Sequence, residues 1–492
     1  MAHLIGIDLG SSSVKVSLVD SATGRELAHA QSPSGEEMPM DAAQAGWAEQ
    51  DPAMWWRHTT SAFGQLSLKH DLSAVRAIGI SYQMHGLVML DREGEPVRPS
   101  IIWCDSRAVE LGRAAGEDIG QAAIAASTLN SPGNFTASKW AWVAKHEPQL
   151  LERVSTVMLP GDYIAYRLTG ERSTTSSGLS EMILWDFERQ SPASSVLQHY
   201  GLDVDLLPPL VPNFGDQGGV TDAVASALGL PKGVTVNYRA GDQPNNAYSL
   251  NVLEPGETAA TAGTSGVVYA VTDERRFDKQ QRVNTFAHVN DSSEAARLGI
   301  LLCINGTGSA YAWLRRTLGA AELPSYPQLN DWAARGGVAP DGLLFYPFGN
   351  GAERLLGNRS PGARLINLSF TRHGAPELCA AVQDGIAASL AYGAKALAEV
   401  GAKPTVTRAG RANLFLSDRF CGAFTQLTGV PLELYDTDGA QGAARAAGVG
   451  VGIYASHAEA LTSLERIAVF EPNATHREAY AEMFNAWCDG LA

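Results

Sequence analysis

The chain has 492 residues, and single hydrophobic cores stop growing at roughly 250–300 residues, so two domains are expected. Hydrophobic residues make up 45% and charged residues 18%, an ordinary globular composition that excludes a disordered chain. A net charge of −15 argues against nucleic acid or an anionic membrane as partner, so phosphate would have to be met locally, by backbone N–H groups and a metal ion.

The five cysteines, Cys104, Cys303, Cys379, Cys421 and Cys488, are scattered and form no C-x-x-C pair. They read as reduced thiols of a cytosolic protein, neither a disulfide framework nor a zinc site. Residues 1–10 show no basic segment followed by a long apolar one, so no secretory signal is expected. The apolar run 298–304 is too short to span a bilayer.

In chain order, residues 4–9 form a short apolar run that ends at a Gly/Ser turn, 10–13, and 14–19 alternate in polarity. This pattern predicts a β-hairpin, with a third strand at 23–30. Asp8 at the strand end could bind Mg²⁺, and the turn Gly10-Ser11-Ser12-Ser13 could bring N–H and hydroxyl groups to phosphate. A serine-rich turn with an incidental acid explains the same residues, and no P-loop pattern is present. Asp51-Pro52 predicts a helix start, with Asp as cap and Pro at the first helical position. A strand at 77–81 leads into Gln83-Met84-His85-Gly86, which suits a polyol-binding wall, although a lone His is more often structural. Residues 101–107 end in Trp103, Asp105 and Arg107, and the last two could simply pair.

A strand at 234–238 precedes Gly241-Asp242-Gln243. An acid just past a strand end can accept a proton from an alcohol, and an Asx-type turn closing the strand is the alternative. A second hairpin is predicted at 257–271, with Gly263-Thr264-Ser265-Gly266 in its turn. Two such hairpins half a chain apart suggest a loose internal duplication. Residues 375–400 predict an Ala-rich helix and 439–448 another built of small residues, both suited to close packing. Nothing reads as a long linker.

Together these segments resemble the FGGY carbohydrate kinases. Residues 5–15 resemble the first phosphate motif of that family. Trp47-Ala48-Glu49-Gln50-Asp51-Pro52 with Trp55-Trp56 resembles its W-x-E-Q-D-P-x-x-W-W stretch, and Trp103-x-Asp105-x-Arg107 its W-x-D-x-R. Gln83-Met84-His85-Gly86 matches the sugar-binding motif of the family's xylulokinase branch. Gly241-Asp242 matches the catalytic segment and 263–266 the second phosphate motif, while 349–354, with Glu353 and Arg354, loosely resembles a G-E-R loop.

The resemblance implies an α/β chain of two actin-like (ribonuclease H-like) domains with a catalytic cleft between them. Residues 1–246 would bind sugar and carry the base, and 247–492 would mainly bind nucleotide. The implied activity is ATP-dependent phosphorylation of a ketopentose, D-xylulose foremost, with Asp242 as general base. Gln83, Met84, His85, Asp105, Asp242 and Gln243 would form the sugar side. Gly10, Ser11, Ser12, Ser13 and Lys15, with Gly263, Thr264, Ser265, Gly308 and Asn413, would form the nucleotide side, and Asp8 would hold Mg²⁺. The implied partners are a small sugar and ATP in the cytoplasm, and a homodimer is left open.

Three departures accompany the resemblance, one of them the segment 174–181, which departs from the family's usual acidic pattern. Gln243 follows Asp242 where xylulokinases usually carry Asn, which keeps ribulose, a deoxyketose or glycerol in view. The adenosine loop has Ala412, Asn413 and Leu414 where the family usually has glycines, which leaves a non-catalytic nucleotide- or sugar-binding sensor as a second class.

Overall fold

The computed structural model describes residues 2–319, 322–352, 354–357 and 359–491. Its main strands and helices, in chain order, are β1 (His3–Leu9), β2 (Val14–Asp20), β3 (Glu26–Ser32), α1 (Pro52–Ser67), β4 (Val75–Tyr82), α2 (Thr136–His146), α3 (Ser176–Glu181), β5 (Thr235–Gly241), α4 (Asp242–Ser249), β6 (Glu257–Ala262), β7 (Gly266–Thr272), β8 (Asn284–Ala287), β9 (Leu298–Ile304), α5 (Gly308–Leu318), α6 (Ala375–Val400), β10 (Val406–Gly410), β11 (Leu432–Tyr435), α7 (Gly439–Gly450) and β12 (Arg466–Phe470).

Two compact units result. The first comprises Met1–Asn251, Phe286–Arg297 and Thr437–Leu464, the second Val252–Thr285, Leu298–Asp436 and Glu465–Ala492. The sequence reading placed one boundary at 246/247, whereas the chain returns to the first unit near its end. The reason lies in α7. A Cβ on Gly6 of β1 would lie 1.7 Å from the Ala440 carbonyl oxygen, and one on Gly79 of β4 1.9 Å from that of Ala443. Helix and sheet therefore meet backbone to backbone, which only glycine permits, and the small-residue pattern of 439–448 is used for this approach.

The sheet of the first unit has the order β5-β4-β1-β2-β3. β1 pairs antiparallel with β2 and parallel with β4, and β4 pairs parallel with β5. The predicted hairpin is present. The third strand begins at Glu26 rather than residue 23 because Asp20 Oδ1 accepts from the N–H groups of Ala22 and Thr23. Gly24, at φ +63°, completes that turn. α1 starts as its residues predict: Asp51 accepts from the Ala53 N–H, and Pro52 takes the first helical position.

The second unit has a seven-stranded sheet, β8-β9-β7-β6-β10-β11-β12. Its hairpin, β6 to β7, is antiparallel with Ala262 opposite Gly266. α6 covers this unit's core, burying Val382, Ile386 and Leu390 among Leu302, Phe345 and Phe420. Two glycines of the Ala-rich run serve its packing. A Cβ on Gly385 would lie 2.1 Å from the Phe345 carbonyl oxygen, and one on Gly393 2.0 Å from Leu302 Cδ2. Among the described residues, no helix is long and apolar enough to cross a membrane.

Candidate active site

Parallel pairing of β1, β4 and β5 brings Asp8, Gln83 and Asp242 to the carboxyl ends of neighbouring strands, where open α/β sheets bind ligands. Asp8 lies opposite Ser81, whose hydroxyl donates to Asp8 Oδ1 at 2.8 Å. Gly439 backs the same carboxylate, since a Cβ there would lie 2.7 Å from Asp8 Oδ2. Burial pushes the Asp8 pKa up and nearby Asp438 adds to the shift, while the Ser81 hydrogen bond and Lys15 oppose it.

Lys15, expected at phosphate, is engaged within the first unit. Its Nζ reaches Asp438 at 2.5 Å and Glu26 at 3.4 Å. Asp438 also caps α7 by accepting from the Gln441 N–H at 3.0 Å. Despite burial, Lys15 holds Asp438 below the usual carboxylate range.

In the turn that follows Asp8, the carbonyl oxygens are taken by the chain. The Gln50 Nε2 donates to Ser11 O at 2.7 Å, and the N–H groups of Met38 and Gly10 donate to Ser12 O and Ser13 O. Such anchoring turns lone pairs away from an incoming anion. Ser12 is exposed, Ser11 half-buried, and Ser13 Oγ accepts from Gln31.

Asp242 opens α4 directly after β5. Burial and the negative charge of Asp8 raise its pKa to about 7, against hydrogen bonding from Gln243. Asp8 is one of the groups that raise Asp242, and a carboxyl pair at neighbouring strand ends fits a nearby cation. Among the described residues no group of three or more His, Cys, Asp or Glu side chains could enclose a metal ion. That donor set fits Mg²⁺, which keeps several waters and takes one or two carboxylates together with substrate phosphates.

The sugar-side candidates divide. Met84 is buried, and a Cβ on Gly241 would meet its Cγ at 2.6 Å, so it packs beside Asp242. His85 adopts φ +62°, with its ring against Phe135 at 4.7 Å and Phe286 at 5.4 Å. Gln83 is a buried tie rather than an open ligand. Its Nε2 donates to Gln50 Oε1, which also accepts from Trp55 Nε1. Its Oε1 is buried and without a partner among the described residues, an acceptor that a hydroxyl could use. Asp105 is fully buried. Its Oδ2 accepts from the Ala48 N–H at 2.6 Å and from Arg107 at 2.7 Å, and its Oδ1 from the Arg107 N–H. Arg107 in turn lies 3.7 Å from the centre of the Trp47 ring. The structure therefore uses Asp105 to join two loops, because a buried carboxylate must be paired, and not as an open carboxylate for sugar.

In the second unit, Gly263, Thr264, Gly308 and Asn413 come together. The Gly308 N–H and Thr307 hydroxyl both donate to Gly263 O, at 2.7 and 2.8 Å, and the Asn413 amide nitrogen would lie 3.6 Å from a Cβ on Gly263. Thr264 and Asn413 are exposed, Ser265 half-buried. Asn413 has φ +54°, so the residue standing where the family has glycine is one that tolerates the left-handed region. Leu414 instead enters the core. Glu353 lies outside the described residues.

Sequence reasoning missed four polar groups: Gln50 as the bracket of the first turn, Asp438 as the partner of Lys15, and Glu181 and Lys139, both buried beside His85. A helix cap at Asp438 was legible before the small-residue run. Nothing in the chain links the other three to partners dozens of residues away.

Comparison with known proteins gives a consistent result. A profile described as the FGGY family of carbohydrate kinases, N-terminal domain, matches residues 3–248. A xylulose kinase of Escherichia coli (strain K12) is 30% identical over 482 residues, 97% of this chain and 96% of the relative. One from Bacillus subtilis (strain 168) is 29% identical over 99% of this chain and 96% of the relative. Among solved structures, a "xyloylose kinase" from Brucella ovis superposes with a TM-score of 0.88 at 27% identity, covering 99% of this chain and 98% of that one.

Proposed function

The chain belongs to the FGGY family of carbohydrate kinases, and from that premise we propose that it transfers the γ-phosphoryl group of ATP to D-xylulose, forming D-xylulose 5-phosphate and ADP. As a carbohydrate kinase it is an enzyme, which removes the non-catalytic sensor. Support for the sugar comes from the xylulose kinases to which it is similar and from the Gln83-Met84-His85 motif.

The observation that carries the mechanism is the environment of Asp242, a carboxyl raised to about 7 by burial and by Asp8. A general base works best with a pKa near the working pH. As the sugar C5 oxygen bonds to the γ-phosphorus, Asp242 takes the hydroxyl proton, and the bond from that phosphorus to the β–γ bridging oxygen breaks, releasing ADP. Met84 and His85 line the sugar, with Gln243 beside the base. The serines and threonine of the turns at 10–13 and 263–265 offer N–H and hydroxyl donors to the nucleotide, Gly10 and Gly308 keep the backbone open while their own N–H groups hold Ser13 O and Gly263 O, Asn413 adds its amide, and Lys15 keeps the first turn next to Asp438. Asp8 would hold Mg²⁺, which neutralises phosphate charge when bound. Phosphoryl transfer needs mainly such positioning and charge stabilisation.

Gln243 favours one further reading within the same class, a kinase of another ketose or of a polyol. Sugar-dependent ADP release with Mg²⁺-ATP, measured for D-xylulose, L-xylulose, D-ribulose, L-ribulose and glycerol at matched concentrations, separates the two. The expected result is a clear preference for D-xylulose in kcat/KM. Preference for another sugar would overturn the substrate assignment while leaving the reaction class intact.

A further inference from the structure

His85 is held in an uncommon backbone conformation by two buried ionisable side chains from distant parts of the chain. At φ +62° it occupies a region that non-glycine residues enter at a cost and that persists only where the surroundings over-determine it. The surroundings here do so. The His85 N–H donates to Glu181 Oε2 at 2.9 Å. The His85 carbonyl accepts from Lys139 Nζ, also at 2.9 Å. Nδ1 of its ring lies 3.0 Å from the Glu181 carbonyl oxygen. That contact requires the proton on Nδ1 and fixes the plane of the ring. The Phe135 and Phe286 rings flank the imidazole.

Each of the two groups also meets one other part of the chain, Glu181 the Tyr82 side chain and Lys139 the Ile102 carbonyl. Glu181 is 2% exposed and Lys139 0%, and isolated buried charges are costly unless paired and hydrogen-bonded. Glu181 sits at the end of α3 and also flanks Gly241, where a Cβ would lie 3.2 Å from its Oε1. Lys139, on α2, gives its second hydrogen bond to Ile102 O at 2.9 Å, so one ammonium joins the His85 segment to the segment leading into Trp103 and Asp105. Burial pushes the Glu181 carboxyl up and the Lys139 ammonium down to about 7, toward their uncharged forms. Two buried ionisable side chains from distant segments converging on one residue fit a site whose geometry must be kept within narrow limits.

We propose that Glu181 and Lys139 are positioning residues for the sugar: one holds the His85 N–H and the other its carbonyl, fixing the main chain at φ +62° and with it the direction in which the imidazole meets the sugar. The inference rests on the reading of His85 as a sugar-site residue. It assigns the specificity of that site to two residues that do not touch the substrate.

The test is steady-state kinetics with D-xylulose and Mg²⁺-ATP on the full chain, for Lys139→Met, Glu181→Ala, Glu181→Gln and His85→Ala, with Lys139→Met also placed in the His85→Ala background. Losing a buried hydrogen bond that places the ring should raise the sugar KM about tenfold in Lys139→Met and Glu181→Ala, with the ATP KM within about twofold of the parent. Glu181→Gln keeps an acceptor for the His85 N–H and should restore most of the sugar affinity. Without the imidazole there is nothing left to position, so Lys139→Met should add no further rise to His85→Ala. Full additivity of those two substitutions, or equal rises in both KM values, overturns the proposal. Should Glu181→Ala fail to fold, the Lys139→Met cycle and Glu181→Gln still decide. An effect of His85→Ala that Lys139→Met does not share overturns the positioning role alone, whereas a His85→Ala enzyme with the parental sugar KM removes the sugar-site reading and the positioning role with it.

Discussion

The two hairpin turns are alike in sequence and unlike in what surrounds them. The turn after β1 sits among charges: Asp8 on the strand before it, Lys15 on the strand after it, and Asp438 and Glu26 around the lysine. The turn between β6 and β7 is packed by neutral groups, the Gly308 and Ser309 N–H groups and the Thr307 hydroxyl, which bind its carbonyls. A strand–turn–strand unit thus serves as a neutral scaffold or as part of an ionised one. What decides is the residue ending the first strand and the helix behind it. At Asp8 that helix is α7, whose Gly439 leaves room for the carboxylate. The titratable groups proposed for proton and cation chemistry therefore lie in the first unit, and the turn of the second is held by uncharged donors.

The sharpest way to break this contrast is to remove the carboxyl proposed as the base. Asp242→Ala should lower kcat by about 10²–10⁴-fold, the usual contribution of a positioned base, while calorimetry shows sugar binding largely kept. Turnover near the parental rate would end the assignment of Asp242.

A smaller effect tests the charge coupling itself. With Asp242 raised to about 7, its carboxylate form is populated as pH rises through that value, so kcat/KM for the sugar should climb through pH 7. The same proton makes this group's contribution to stability greatest below the carboxyl's unfolded pKa, and that contribution is lost as pH rises through 7. Asp8 is one cause of the shift, so Asp8→Asn should move the ascending limb to lower pH. A limb that stays in place would mean that burial alone sets the Asp242 pKa.

The smallest effect belongs to the neutral side. Asn413→Gly should leave urea stability within about 0.5 kcal/mol of the parent, because both residues accept φ +54°. Asn413→Val should cost about 1–2 kcal/mol. Equal stability of the two variants would show that the left-handed turn at 413 is not needed.

Local chemistry made much of this molecule legible. Apolar runs around a small-residue turn marked both hairpins, Asp51-Pro52 marked the start of α1, and the Ala-rich run at 375–400 marked α6 from end to end. The motifs also ordered Asp8, the Gln83-Met84-His85 run and Asp242 along one half of the chain. The third strand was placed early because the Asp20 side chain, not strand propensity, governs residues 22–24. Asp105 and Lys15 were read as ligands because an acid or base beside a motif looks the same in sequence whether it faces substrate or a buried partner.

What the sequence determined by itself is therefore whatever depends on neighbours a few residues apart: strand, turn, cap and the identity of the reactive groups. The tertiary structure alone decided which of those groups are occupied. Burial of Lys139 against His85, of Asp105 against Ala48 and of Asp438 against Lys15 joins residues between 54 and 423 positions apart. No local pattern records such pairings, since their energy arises only when folding removes both partners from water.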